Sequence, residues 1–138
     1  GTVVGLTRGV NKYHFVRATL ESIAYSTYDL AVQMEKDLGS KIKSLKVDGG
    51  ASRSDILMQI QSDLLDKELY KPVCVETTAM GAAYLAGLAV GYWKSTDEIK
   101  KNWKVEKIYK STITAGDREQ RIKGWHKAVK HALDWARD

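Results

Sequence analysis

The sequence predicts an α/β fold in which parallel strands are flanked by helices. The first third of the chain carries a long helical pattern of apolar residues. Two short β-rich segments, 43–48 and 68–75, are each followed by a further helical pattern. Such alternation is typical of layered folds with adjacent parallel strands. A final amphipathic pattern predicts a terminal helix.

The N-terminal third predicts a strand end followed by a long helix. Residues 2–7, "TVVGLT", are β-branched and interrupted by Gly5, as expected of a strand end or bend. Asn11 then precedes the helical pattern, and Gly39 supplies a left-handed stop. We expect this helix to lie on a sheet through one apolar stripe: Val16, Leu20, Ile23, Ala24, Ala31, Met34 and Leu38.

The segment "KSLKVD" at 43–48 predicts a strand that runs into a glycine pair and a second helix. Ser52, with Asp55 three residues later, matches a capping box at the start of this helix. Its apolar spacing predicts four inward residues: Ile56, Leu57, Ile60 and Leu64. In the next strand, 68–75, Pro72 indicates an edge or a strand end because it cannot donate a ladder hydrogen bond.

A third helix is predicted from an N-cap at Thr77 or Thr78 to about Gly91. The apolar stretch 79–93 is too short for a membrane span and predicts a buried helix. Its small residues permit close approach to a neighbour, although glycine lowers helix stability. Tight packing is the favoured explanation, and closeness to a ligand is the alternative.

The rest of the chain predicts a surface excursion and a closing helix. Residues 92–116 are polar and irregular, with one short helix near "TDEIKKNW". In the closing helix, Asp117 and Glu119 lie near the positive start. Its stripe comprises Ile122, Trp125, Val129, Ala132, Leu133 and Ala136.

Composition narrows the function classes. With 138 residues, 43% hydrophobic and 28% charged, the chain has the size and composition of one globular domain. Cys74 is the only cysteine, which rules out an internal disulfide and suits a reducing compartment. We expect no signal peptide and no membrane partner. The net charge of +5 suits an anionic partner, but nucleic acid is not expected from so modest an excess.

Most catalytic signatures are missing from the sequence. His14, His126 and His131 are scattered, so no metal site is predicted. There is no GxSxG nucleophile motif, Walker GxxxxGK[ST] or dinucleotide GxGxxG. No catalytic residue is therefore assigned.

The stretch "DGGASRS" at 48–54 is the one candidate site. A glycine pair between a strand and a helix lets bare backbone N–H groups face an anion. The following helix adds a partial positive charge in the same direction. This is a phosphate-binding arrangement that needs no lysine, but from these residues alone an ordinary tight turn is favoured over a ligand site.

Three segments carry a family resemblance. They are "GLTRGVNKYHFVRATLESIAY" (5–25), "VDGGASRSDILMQIQSDLL" (47–65) and "ETTAMGAAYLAGLAVGYW" (76–93). Together they resemble the C-terminal region of the glycerol kinases, which are a branch of the FGGY carbohydrate kinase family in the actin/hexokinase-like superfamily. The resemblance runs in order through essentially the whole chain.

The resemblance implies a nucleotide site at the glycine bend. Gly50 is similar to a glycine whose backbone meets the α-phosphate of ATP, with Gly49 and Ala51 completing the turn. Ser54 stands where the family usually has an asparagine near the adenosine, and serine is shorter. Asp48 would orient the loop or a metal-bound water, or cap the turn, which is the favoured role. The small-residue helix would pack beside this loop.

The resemblance also implies that residues 1–138 are the C-terminal, nucleotide-side domain of a cytoplasmic kinase. The glycerol site, the catalytic aspartate and the loops for Mg²⁺ and the terminal phosphates would lie upstream, so this chain alone is expected to be inactive. The implied fold is part of a ribonuclease-H-like domain of five strands, lacking its first strands and the whole N-terminal domain. The open sheet edge predicts self-association into a homo-oligomer, strand exchange or marginal stability.

Two other functions stay open from the sequence. The same residues would suit a kinase for another polyol or sugar. Alternatively, residues 94–110 interleave lysines with Trp103 and Tyr109, as in a non-catalytic module that binds anions or nucleic acid by stacking. A solvated basic face with its aromatics folded inward is favoured over that module.

Overall fold

The computed structural model describes residues 1–134, which form a small mixed sheet flanked by helices. A 3₁₀ turn, Gly50–Arg53, precedes the second helix. The helices and strands in chain order are α1 Lys12–Leu38, β1 Ser44–Lys46, α2 Asp55–Leu65, β2 Glu68–Pro72, α3 Thr77–Ala89, α4 Thr96–Lys100, β3 Val105–Tyr109 and α5 Ala115–Ala132.

The sheet has three strands in the order β1-β2-β3. β1 and β2 are parallel, with Leu45 opposite Leu69, which confirms the predicted parallel pair. β3 is antiparallel to β2, with Tyr109 opposite Leu69. Strand β3 was not predicted, because its charged, mostly exposed residues are typical of a surface loop as well as of an edge strand. Residues 2–7, predicted as a strand end or bend, form no strand.

Helix α1 begins and ends where the sequence predicts. The Asn11 side chain accepts a hydrogen bond from the Tyr13 N–H at 3.0 Å, and Gly39 ends the helix with a φ of 62°. The helix packs mainly on α2 rather than on the sheet, through the buried Ala24 and Ala31. Several members of the predicted stripe are exposed instead: Val16, Ile23, Met34 and Leu38.

Helix α2 lies at the centre of the core but begins later than predicted. Its N-cap is Ser54, whose side chain accepts from the Leu57 N–H, and not Ser52. The predicted inward residues Leu57, Ile60 and Leu64 are buried, whereas Ile56 is 59% exposed. The core lies between α1, α2 and one face of the sheet, and it also contains Met58, Leu65, Leu69 and Tyr109.

Helix α3 differs most from its prediction. None of its residues is buried by the rest of residues 1–134, although a buried helix was expected. Its N-cap is Glu76, without a side-chain cap, rather than Thr77 or Thr78. Gly87 alone shows the predicted close approach, since an added Cβ would come within 2.5 Å of the Trp93 ring. Apolar sequence predicted the helix correctly but could not show what covers it.

The C-terminal part follows the sequence closely. The short helix α4 lies within the predicted segment, and α5 is capped by Thr114, which accepts from the Asp117 N–H at 3.1 Å. Trp125 is half-buried and its ring stacks on Tyr25 of α1 at 5.2 Å. Leu133, predicted to lie inward, is 62% exposed, and Ala136 lies outside the described residues. Within 1–134 no helix has the length and apolar character needed to cross a membrane.

Candidate functional site

The glycine bend joins the end of β1 to the start of α2. Gly49 has φ 75° and ψ 178°, a backbone region that is essentially restricted to glycine. Its N–H donates to the carbonyl of Val75 at 2.8 Å, which ties the bend to the segment before α3. The amide of Gly49 is therefore occupied, and the residue contributes its backbone conformation.

The 3₁₀ turn that follows leaves two backbone donors open. The N–H and the hydroxyl of Ser52 both donate to the Gly49 carbonyl, at 3.2 and 2.7 Å, and the Ser54 N–H donates to Ala51 at 3.1 Å. Within the described part of the chain, the N–H groups of Gly50 and Ala51 have no acceptor, and both residues are exposed. These two amides are placed to receive an anion from solvent.

Ser54 lies at the junction of the turn and α2. Its side-chain oxygen accepts from the Leu57 N–H at 3.3 Å, so it already caps the helix. The residue is half-buried. Its own O–H donates to no acceptor among residues 1–134, which leaves this donor available.

The start of α3 lies against the rim of the bend. Asp48 accepts a hydrogen bond from the Thr77 hydroxyl, and Arg53 forms an ion pair with Glu76 at 2.8 Å. The small residues of this helix were predicted to lie beside the loop. The hydrogen bonds and the ion pair to the loop come instead from residues 75–77, at and before the first turn of α3. Sequence spacing offered no signal for the Asp48–Thr77 pair, whose members lie 29 positions apart.

A second polar contact fixes the first turn of α2 to β3. The Tyr109 hydroxyl donates to Asp55 at 2.5 Å, and Lys107 pairs with the other carboxylate oxygen at 2.9 Å. The hydrogen bond from Tyr109, followed by that from Lys107, lowers the pKa of Asp55. Burial and the neighbouring carboxylate raise the pKa of Tyr109. This contact holds the helix that follows the bend and is not itself part of the open surface.

The remaining candidate groups are dispersed or already engaged. Residues 1–134 contain no group of three or more His, Cys, Asp or Glu side chains that could hold a metal ion. His14 is bonded to Asn11, and His126 lies 3.0 Å from Asp29. Cys74 is a free, exposed thiol.

The lysine-rich segment 94–110 lacks the aromatic surface that stacking on bases requires. Tyr109 is only 3% exposed and belongs to the core. Trp103 is half-buried, and the Lys46 ammonium lies 4.1 Å from its ring centroid. Neither ring is free to receive a base, which favours the solvated basic face.

Comparison with known proteins identifies the family. The profile of the FGGY family of carbohydrate kinases, C-terminal domain, matches residues 1–90. The chain belongs to this family. The match includes the bend, α2 and α3, which are the elements that build the candidate site.

Curated relatives in the family are glycerol kinases. The chain is 56% identical to glycerol kinase from Agathobacter rectalis over 138 residues, which is all of this chain and 28% of that protein. It is also 56% identical to glycerol kinase from Clostridium botulinum over 135 residues, or 98% of this chain and 27% of that protein. The chain thus spans about 28% of the length of the first of these relatives.

Solved structures confirm the fold class. The crystal structure of Plasmodium falciparum glycerol kinase with ADP matches with a TM-score of 0.84 and 30% identity, covering 96% of this chain and 26% of that one. Xylulose kinase from Lactobacillus acidophilus matches with a TM-score of 0.76, covering 96% and 27% of the two chains. At 24% identity the second match shows the fold alone. The predicted α/β layered fold is confirmed, with the correction that the sheet is mixed.

Proposed function

We propose that the chain is the nucleotide-side, C-terminal part of an ATP-dependent glycerol kinase. Identity of 56% along its whole length to glycerol kinases supports this choice within the family. The structural neighbour with ADP supports ATP and ADP as the nucleotide pair. Another polyol or sugar kinase is less favoured, because the xylulose kinase neighbour shares only 24% identity.

The observation that carries the proposal is the pair of exposed amides at Gly50 and Ala51, which have no acceptor among the residues that the structure describes. A backbone amide without a protein acceptor binds a phosphate oxygen at no cost in lost internal hydrogen bonds. Gly50 adds no side chain that would hinder the approach of a ligand. We assign the α-phosphate to these amides, the shape of the bend to Gly49, and a contact on the nucleoside side to the open donor of Ser54.

The chain supplies only part of what phosphoryl transfer needs. That reaction depends on positioning the nucleotide and neutralising its phosphates from several elements at once. Residues 1–134 contain no carboxylate cluster for Mg²⁺. In this proposal Mg²⁺, glycerol and the terminal phosphates are held by an N-terminal domain of a longer enzyme, and residues 1–138 alone do not catalyse transfer.

The proposal also includes the compartment and self-association. A free thiol at Cys74 suits the reducing cytoplasm. Among residues 1–134, strand β1 pairs with β2 alone and has no strand at its other edge, so we propose that the isolated chain associates with a second copy. Sedimentation as a stable monomer at high concentration would contradict this association.

A nucleotide titration followed by NMR tests the site. On addition of ADP to the ¹⁵N-labelled chain, we expect the amide resonances of Gly50 and Ala51 to shift the most. Inorganic phosphate should shift the same amides more weakly, and adenosine should act near Ser54. Unmoved bend amides at millimolar ADP would contradict the proposal for this chain.

Gly50→Ala is the matched variant for this titration. An added Cβ at Gly50 meets nothing within 4 Å, and its φ is not positive, so the fold is expected to be unchanged. The methyl group would stand next to the Gly50 amide that we assign to the phosphate, so we expect ADP to bind more weakly. Wild-type affinity in this variant would place the phosphate elsewhere.

A further inference from the structure

The two anchors that fix the bend both come from the segment before and at the start of α3. Gly49 donates to the Val75 carbonyl at 2.8 Å, and Asp48 accepts from the Thr77 hydroxyl. Glycine populates many backbone conformations, so a glycine pair does not hold one direction by itself. The orientation of the next two amides therefore depends on contacts outside the turn.

The other contacts at the bend cannot provide this orientation. Within residues 1–134, Ser52 donates hydrogen bonds to the Gly49 carbonyl alone, so it holds the internal shape of the turn and not its direction relative to α3. The Arg53–Glu76 pair spans the same gap, but both side chains are about two-thirds exposed. Exposed ion pairs contribute little and are screened by salt.

Charge gives the Asp48–Thr77 contact a second effect. Asp48 lies two residues before Gly50, so a carboxylate free to rotate would repel a phosphate bound at the bend. The Thr77 hydroxyl engages one carboxylate oxygen and holds it toward the start of α3. The hydrogen bond between Thr77 and Asp48 thus restrains both the backbone of the bend and the direction of the Asp48 carboxylate.

We propose that Thr77 is a positioning residue for the nucleotide site, holding Asp48 so that the Gly50 and Ala51 amides face the bound phosphate. This inference rests on the proposed function and deepens it. Thr77 itself touches no nucleotide and acts through Asp48. The segment that begins α3 is thereby part of the site although it contributes no phosphate donor.

The test compares Thr77→Val with Thr77→Ser and Thr78→Val in the 138-residue chain. Valine keeps the shape of threonine without its hydroxyl, whereas serine keeps the hydroxyl. Thr78 is the neighbouring exposed threonine, and no side-chain hydrogen bond to it is found within residues 1–134, so it serves as the matched control. Thermal midpoints establish that each variant is folded.

ADP affinity is the first readout. Losing one hydrogen bond should weaken ADP binding by about fivefold in Thr77→Val. Thr77→Ser should restore binding to within about twofold, and Thr78→Val should bind like the wild type. Equal ADP affinity in Thr77→Val and the wild type would overturn the inference while leaving the proposed function standing.

The second readout needs no ligand. In the free chain, Thr77→Val should shift the Gly50 and Ala51 amide resonances and speed hydrogen exchange of the Gly49 N–H, which donates to Val75, whereas Thr78→Val should do neither. If the wild type failed to bind ADP, the proposed function would fail for this chain, and the free-state amides would still decide the positioning role. Bend amides that coincide in Thr77→Val and the wild type would overturn it.

Discussion

Helix α2 follows the glycine bend and helix α3 begins beside it, yet the two are buried to very different degrees. Most of α2 is buried, including Leu57, Leu64 and Leu65. No residue of α3 is buried, although its sequence is apolar almost all round, and Leu85 is 70% exposed. An amphipathic helix needs one partner surface, whereas a helix that is apolar on every side needs cover all round. Residues 1–134 supply a partner surface for α2, but they do not cover α3 all round.

The candidate site therefore lies between a stable half of the molecule, around α2, and a weakly covered half, around α3. On its α2 side the bend is supported by the core, and on its α3 side it is held by a few polar contacts. Local opening is therefore expected to begin at α3, where few buried apolar contacts oppose it. Substitutions in the two halves should therefore differ in their effect on stability.

Leu64→Ala is expected to have the largest effect. Leu64 is fully buried in the core between α1, α2 and the sheet. Removing its side chain should lower the free energy of unfolding by about 2–5 kcal/mol, through lost burial and the cavity left behind. Urea denaturation measures the change. A loss no larger than that of a surface substitution would mean that α2 is not the centre of the core.

Gly49→Ala should have the next largest effect because it strains the junction between the two halves. A side chain at φ 75° and ψ 178° is expected to cost about 1–3 kcal/mol. Gly50→Ala is the control, and it should stay within about 0.5 kcal/mol of the wild type. Thermal unfolding of the pair checks this, and equal stabilities would show that Gly49 is not conformationally required.

Glu35→Gln should reveal a pH-dependent contribution within the stable half. The hydrogen bond from Lys67, followed by that from the Ile42 N–H, lowers the pKa of Glu35. A carboxylate with a lowered pKa adds stability above its unfolded pKa, and this stability is lost as the pH falls through the folded value. The variant should be less stable at pH 7, and the difference should shrink below about pH 4.

Denaturation midpoints of Glu35→Gln and the wild type across pH 3–8 measure this difference. Glu119→Gln, which makes the same change of net charge at an exposed position of α5, is the control. A gap that stays constant from neutral to acid pH would show that the Glu35 charge is not the cause.

Leu85→Ala should have the smallest effect. The side chain is 70% exposed on α3, so its loss should change the free energy of unfolding by no more than about 0.5 kcal/mol. Hydrogen exchange gives a second measure of how well α3 is covered, since its amides should exchange faster than those of α2 in the wild type. A large loss of stability, or equal protection of both helices, would show that α3 is covered in solution.

Local chemistry explains why some boundaries were predictable. Asn11 and Gly39 bound α1 through a side-chain acceptor and a left-handed backbone, and both effects act within a few residues. The choice of Ser54 over Ser52 as the cap of α2 was not predictable in the same way. Both serines suit a cap, and the bend's own hydrogen bonding engages Ser52 with Gly49.

The candidate site, too, was only partly predictable from local sequence. The glycine pair was visible as a pattern, and it indicated bare amides between a strand and a helix. Which amides remain open was decided by Val75, which occupies the Gly49 N–H and leaves those of Gly50 and Ala51. The contact of Tyr109 with Asp55 was likewise invisible, because 54 positions separate the two residues.

By itself the sequence determined the helices, the parallel pair and the place of the bend, because caps, periodicity and glycine act over neighbouring residues. Only the tertiary structure decided the antiparallel β3, the exposure of α3 and the partners of the bend. Those features depend on which distant segments come into contact, and contacts between residues far apart in the chain cannot be predicted from local sequence patterns.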